Sequence, residues 1–256
     1  MVEMSLDKLS SGIEAIHAVP VGSRDLPLPT IFFFHGYTSS KEVYSYFGYA
    51  LAQAGFRVIL TDAAMHGARY DGDESQRLAH FWDILQTNIE ELPGYVAEYR
   101  QRGLIDGERI GVCGASLGGM SALGCMARYP WITAVAAFMG SGYFSTLSSA
   151  LFPPVPTNRE ENQAVLQALA TKLADYDVTT RLDALSNRPL LVWHGEADDV
   201  VPAAESVRLY QALQARDKLA NLTYLTEPGV GHRITPTALQ AGADFFRRTL
   251  SFRPDC

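Results

Sequence analysis

Cysteine is scarce in this chain. Cys113, Cys125 and Cys256 are an odd number and lack the paired spacing of a zinc or iron–sulfur site. They exclude a disulfide framework and read as reduced thiols of a cytoplasmic protein. Positive charge is also short: 21 Lys and Arg stand against 28 Asp and Glu, giving a formal net charge of −7, with no basic run among them. Phosphate recognition needs clustered cations, so no nucleic-acid partner is expected. No apolar stretch is long enough to span a bilayer, so no membrane partner is expected either. The opening Met1-Val2-Glu3-Met4-Ser5-Leu6-Asp7-Lys8 lacks the basic and apolar regions of a secretory signal. Internal repeats and low-complexity segments are missing too. His35, His66, His80, His194 and His232 are scattered without ligand spacing, so neither a metal nor another cofactor is implied.

What is present is an ordinary globular composition, 47% hydrophobic and 19% charged over 256 residues, which fits one domain spanning 1–256. Short apolar runs alternate with helical patterns. Residues 13–20 alternate apolar and polar, as in a half-exposed edge strand. Runs at 30–34 and 132–138 read as buried strands, and those at 56–60, 109–113, 189–193 and 221–225 as further strands. Helices are expected at 42–54 (capped by Ser39 or Ser40 and stopped by Gly55), 119–128, 159–174, 203–216 and 236–250. A longer helical pattern at 75–102 is interrupted at Pro93-Gly94. This alternation predicts an α/β domain with a mainly parallel sheet, whose functional loops gather at the C-terminal strand ends. Residues 139–186 break the rhythm, and 141–186 reads as a lid insertion packed over that edge.

The stretch Gly114-Ala115-Ser116-Leu117-Gly118 is G-x-S-x-G, set between an apolar strand and a helix rich in small residues. In that setting the serine sits on a strained turn, and bulky neighbours two positions away would clash. Backbone N–H groups at the following helix N-terminus can receive a developing oxyanion. Ser116 is therefore the candidate nucleophile. A serine hydroxyl needs a base, and the base needs an acid to orient it. Downstream lie His194 and His232, and Glu196, Asp198 and Asp199. His232 follows Pro228-Gly229-Val230-Gly231 in a loop from which an imidazole can reach across, and is the candidate base. His194 reads as a structural histidine bonding the neighbouring loop. Glu196 comes too early in its turn, and of the adjacent Asp198 and Asp199 only one can meet the imidazole. Cys113, inside the strand, reads as core rather than as a second nucleophile.

The segment His194-Gly195-Glu196-Ala197-Asp198-Asp199-Val200-Val201-Pro202 resembles the HGxxDxxVP pattern of the dienelactone-hydrolase and prolyl-oligopeptidase-like branch of the α/β-hydrolase superfamily. The whole chain is similar to small bacterial carboxylesterases of that branch. The likeness includes Phe34-His35-Gly36-Tyr37-Thr38-Ser39-Ser40, Val43-Tyr44-Ser45-Tyr46-Phe47, Gly140-Ser141-Gly142-Tyr143-Phe144 and His232-Arg233-Ile234-Thr235-Pro236. The resemblance implies an α/β-hydrolase fold with helices on both sheet faces and Asp198 as the triad acid. It also implies oxyanion donors at the Tyr37 and Leu117 backbone N–H groups. Dienelactone hydrolases use a cysteine nucleophile, so Ser116 argues against that activity. The expected function is a serine carboxylesterase that hydrolyses small, short-acyl esters through an acyl-enzyme. A thioesterase, lactonase or peptidase with the same triad is the alternative, and a non-catalytic ligand-binding module is a more distant one. Tyr37, Tyr143, Phe144, Leu147, Leu151 and Phe152 are expected to line the substrate pocket. The partner is a small-molecule ester, and the oligomeric state is left open.

Overall fold

The computed structural model describes residues 1–251; Cys256 lies outside the described residues. Eight strands form one sheet: β1 (Val2–Lys8), β2 (Glu14–Pro20), β3 (Leu28–Phe34), β4 (Arg57–Thr61), β5 (Ile105–Ala115), β6 (Ala134–Phe138), β7 (Leu190–Gly195) and β8 (Leu222–Glu227). Their order is β1-β2-β4-β3-β5-β6-β7-β8. β2 pairs antiparallel with β1 and β4, and every other pairing is parallel. The helices are α1 (Ser45–Gln53), α2 (Glu74–Ala79), α3 (Phe81–Gln101), α4 (Leu117–Arg128), α5 (Phe144–Leu147), α6 (Gln163–Leu173), α7 (Leu182–Ser186), α8 (Ala204–Gln214) and α9 (Pro236–Leu250).

The period-2 alternation of β3 explains the two cores. Phe32 and Phe34 point to one face and join Leu85, Ile89, Val112, Met120 and Leu123 beneath α3 and α4. Ile31 and Phe33 point to the other and join Phe47, Leu51, Phe138, Trp193, Phe245 and Phe246 beneath α1 and α9. A strand buried on both faces must be apolar throughout, as this one is. Between β6 and β7 the chain runs through α5, α6 and α7, within the segment read as an insertion. No described helix is long and apolar enough to cross a membrane.

Three expectations need correction. First, residues 13–20 are not a half-exposed edge: β1 covers β2, and residues 15–19 are all buried. His17 looks polar in the sequence, yet it lies between Asp7 Oδ2 at 3.0 Å and Arg57 Nε at 2.8 Å. Asp7 also accepts from Tyr99 and Arg102, so long-range partners make this burial possible. Second, α1 begins at Ser45 rather than Glu42, and its N-terminus has no side-chain cap. Asp62 grips the Lys41 backbone N–H at 2.9 Å and its ammonium at 2.7 Å, and the chain makes turns before the helix starts. Third, the long helical stretch breaks at His80, between α2 and α3, and Pro93 sits inside α3. Proline removes the N–H that would bond the Ile89 carbonyl. The Tyr129 hydroxyl donates to that carbonyl instead, at 2.9 Å.

Candidate active site

β5 delivers the chain to Ser116, and α4 leaves it immediately. Ser116 has φ 57° and ψ −118°, a sparsely populated conformation for an L-residue. The surroundings enforce it. A Cβ on Gly118 would run into the Phe34 carbonyl oxygen, and one on Gly114 into the backbone of Gly118. The Ser116 N–H donates to the Phe138 carbonyl at 2.9 Å, and the Ser116 carbonyl accepts from Met120 at 2.9 Å. The serine is thus wedged between the C-terminal ends of β3 and β6, with its side chain only partly buried.

His232 and Asp198 arrive from the loops after β8 and β7. His232 Nε2 lies 2.9 Å from Ser116 Oγ, and His232 Nδ1 lies 2.7 Å from Asp198 Oδ2. A carboxylate accepts, so Nδ1 carries the proton and Nε2 is left bare to accept from the serine hydroxyl. The other oxygen, Asp198 Oδ1, accepts the backbone N–H groups of Val200 and Val201, each at 3.0 Å. This grip decides which acid meets the imidazole. Asp199 is exposed, and Glu196 takes the Thr226 hydroxyl at 2.8 Å. The loop bearing His232 is anchored on both sides. Ala197 N–H donates to Val230 O at 2.9 Å, and Thr235 caps α9 by accepting from Ala238 at 3.0 Å. His194 is fully buried, with Nε2 2.8 Å from the Val201 carbonyl and 3.2 Å from Asp198 Oδ2.

The loop after β3 borders the same serine. A Cβ on Gly36 would stand 3.6 Å from Ser116 Cβ, an ordinary contact, and 2.9 Å from Tyr44 Oη, so a larger residue here would have to displace the tyrosine hydroxyl. Two buried histidines hold the loop. His35 Nδ1 donates to Gly36 O at 2.8 Å, and its Nε2 accepts from the Ala63 N–H at 3.0 Å. His66 Nδ1 donates to Ala64 O at 2.8 Å, and its Nε2 accepts from the Thr38 N–H at 3.0 Å. Each ring must be neutral to accept a hydrogen bond, and burial favours that form: it lowers the His35 pKa and brings that of His66 down to about 4. Thr38 is held at φ 59°, and Ser39 N–H turns back to Gly36 O at 3.2 Å. The Tyr37 N–H is outside these bonds. Leu117, as the first residue of α4, has no intrahelical acceptor for its own N–H. Ligand spacing gives neither His35 nor His66 a role, and the His35-Gly36 motif alone does not show what the ring holds. The available signal was their place at the C-terminal ends of β3 and β4, next to glycines.

The six expected pocket residues divide. The ring of Tyr37 meets those of Phe152 and Phe81, each at 5.3 Å between centroids, and Phe81 meets Phe152 at 4.5 Å. Leu151 is half-buried, and its carbonyl accepts from Trp82 Nε1 at 3.2 Å. Tyr143, Phe144 and Leu147, by contrast, are buried in the core under α3 and α4. Phe144 packs on Trp82 with centroids 6.2 Å apart, and Tyr143 lies under the Arg208 guanidinium at 3.7 Å. The structure therefore groups Tyr37, Phe152 and the unforeseen Phe81, and does not bring Tyr143, Phe144 and Leu147 into that group. Cys113 is buried, and burial pushes its thiol well above the ordinary range, where it is inert.

Residues 49–253 match the prolyl oligopeptidase family. The chain is 48% identical over 252 residues to Esterase YjfP of Escherichia coli (strain K12), covering 98% of this chain and 100% of that protein. It is 33% identical over 246 residues to the putative esterase YitV of Bacillus subtilis (strain 168), covering 94% and 96%. The crystal structure of TT1662 from Thermus thermophilus superposes with a TM-score of 0.77 at 25% identity, covering 99% of this chain and 100% of that one. With its eight-stranded, mainly parallel sheet and a serine at the strand–helix elbow, the chain belongs to the prolyl oligopeptidase family and has the α/β-hydrolase fold.

Proposed function

We propose that this chain is a serine carboxylesterase acting on small, short-acyl carboxylic esters. The observation that carries the reading is the continuous line from Ser116 Oγ to His232 Nε2 at 2.9 Å and from His232 Nδ1 to Asp198 Oδ2 at 2.7 Å. In this reading Ser116 attacks the acyl carbon while His232 Nε2 takes its proton. Asp198 holds the imidazole in the required tautomer and stabilises its charged form. The backbone N–H groups of Tyr37 and Leu117 receive the oxyanion. His232 then returns the proton to the leaving alcohol. A water activated by the same nitrogen attacks the acyl-enzyme and frees Ser116. Similarity to Esterase YjfP over the full length supports an ester bond as the one cleaved.

The short-acyl preference rests on the walls. Tyr37, Phe81 and Phe152 offer an apolar face, and each buried methylene is worth about 0.8 kcal/mol. Tyr143, Phe144 and Leu147 are committed to the core and are not free to line a deep channel within the 141–186 insertion, which we read as a roof. The buried free thiols Cys113 and Cys125 suit a cytoplasmic enzyme. The test is kcat/KM across p-nitrophenyl esters from acetyl to dodecanoyl, with matched thioesters and lactones alongside. A maximum near acetyl to butyryl is expected. A maximum at long chains, or a preference for thioesters or lactones, contradicts the reading.

A further inference from the structure

His194 is a buried histidine that the mechanism above does not use. It closes β7 four residues before Asp198, and none of its side chain reaches solvent. Its Nε2 lies 2.8 Å from the Val201 carbonyl and 3.2 Å from Asp198 Oδ2. A carbonyl oxygen can only accept, so Nε2 carries the proton and donates it to Val201, with Asp198 Oδ2 close beside it. Nδ1 is then a bare lone pair, buried and without a partner. A second proton there would be an unsatisfied buried donor close to His232, so burial keeps this ring neutral and lowers its pKa. Asp198 Oδ1 thus accepts the Val200 and Val201 N–H groups, while Oδ2 meets His232 Nδ1 at 2.7 Å and has His194 Nε2 beside it at 3.2 Å.

We propose that His194 is a positioning residue for the triad acid, a neutral ring whose Nε2–H, held by the Val201 carbonyl 3.2 Å from Asp198 Oδ2, fixes the orientation of the Asp198 carboxylate and moderates its pull on His232. The inference rests on the serine-hydrolase reading and deepens it. A carboxylate with the positive end of an N–H dipole beside Oδ2 keeps that oxygen aimed at Nδ1 and holds protonated His232 less tightly. Without that dipole Asp198 attracts the imidazolium more strongly, and the base is withdrawn from service at a higher pH. Other charged or titratable groups around the pair are engaged elsewhere. On β8 Glu227 accepts from Thr235, and Tyr224 lies 3.4 Å from Ser206 Oγ; in the intervening loop Glu196 accepts from Thr226. On α8 Glu205 accepts from Ser141, and Arg208 stacks on Tyr143.

Two polar substitutions of similar bulk separate positioning from mere filling. A glutamine amide reaches to where Nε2 stands, whereas an asparagine amide reaches only to Nδ1. For His194→Asn, the acid limb of the kcat/KM–pH profile should move up by about half a unit. Its kcat should fall roughly 10-fold with KM little changed, as for a lost polar contact to a charged group. His194→Gln should recover most of both effects. Equal behaviour of the two variants, or an unmoved acid limb in His194→Asn, overturns the proposal. Should either variant fail to fold, 15N NMR of the wild-type chain decides. A neutral Nε2–H ring from pH 5 to 9 is expected, and a proton on Nδ1 anywhere in that range overturns the inference. Ser116→Ala is the companion measurement. If it retains hydrolysis, the serine-hydrolase reading itself falls. If it is inactive while His194→Asn behaves as wild type, only the role of His194 falls.

Discussion

Asp198→Asn isolates the tautomer of His232 in an almost isosteric change. In the native site Asp198 Oδ1 accepts two backbone N–H groups, from Val200 and Val201, at 3.0 Å each. An asparagine must keep its carbonyl oxygen on that side, because backbone N–H groups can only donate, whereas the His232 ring can exchange tautomers to accept. The NH2 group then occupies the place of Oδ2, 2.7 Å from His232 Nδ1. An NH2 donates, so Nδ1 must become the acceptor and the imidazole proton moves to Nε2. That nitrogen stands 2.9 Å from Ser116 Oγ and, once protonated, cannot take the serine proton. Loss of the correct tautomer in a catalytic triad costs about 10⁴-fold in kcat, which corresponds to about 5.5 kcal/mol of barrier. The assay is steady-state hydrolysis of p-nitrophenyl acetate, with thermal unfolding to establish that the variant is folded. Asp199→Asn makes the same change of charge at an exposed neighbour and should stay within about twofold of wild type. A loss below 10-fold in folded Asp198→Asn, or an equal loss in Asp199→Asn, refutes the reasoning.

Three other outcomes follow from the packing. Gly118→Ala drives a Cβ into the Phe34 carbonyl oxygen, so the elbow must shift; we expect about 3 kcal/mol less stability by denaturant unfolding and loss of esterase activity. Tyr129→Phe should cost about 1–3 kcal/mol by leaving the Ile89 carbonyl without its donor. Adding Pro93→Ala should recover part of that by supplying a helical N–H, whereas strictly additive effects in the double-mutant cycle would show that the hydroxyl does not replace the missing N–H. Burial brings His17 and His66 from 6.5 down to about 4. Because the folded-state pKa lies below the unfolded one, the unfolded chain binds the extra protons in that window. Stability is therefore full above pH 6.5 and declines towards pH 4, with a slope of up to about 1.4 kcal/mol per pH unit for each histidine. Urea titrations at pH 7, 5.5 and 4.5 measure it, and a flat profile contradicts the neutral assignment of these rings.

Features governed by local sterics or short-range pattern were legible in the sequence. Gly114 and Gly118 announce the elbow because the clash they avoid lies within the turn and against the strand beside it. The apolar runs of β3, β6 and β7 announce themselves because a strand buried on both faces admits little else. Features decided by distant partners were not legible. His17 reads as a solvated position until Asp7 and Arg57 are placed beside it. Pro93 reads as a break until Tyr129, 36 residues later, supplies the missing bond. Tyr143 and Phe144 read as pocket walls because composition does not reveal which side of a short helix faces the core. Periodicity likewise could not show that Lys41 is tied to Asp62, which delays the start of α1.

The central claim is that Ser116 is the nucleophile, and covalent labelling tests it most directly. Incubation with a fluorophosphonate, followed by proteolysis and mass spectrometry, should place one adduct on the peptide containing Ser116. The Ser116→Ala variant should remain unlabelled while showing the same thermal unfolding as the wild type. An adduct at another residue, or labelling that persists in a folded Ser116→Ala variant, would contradict the account.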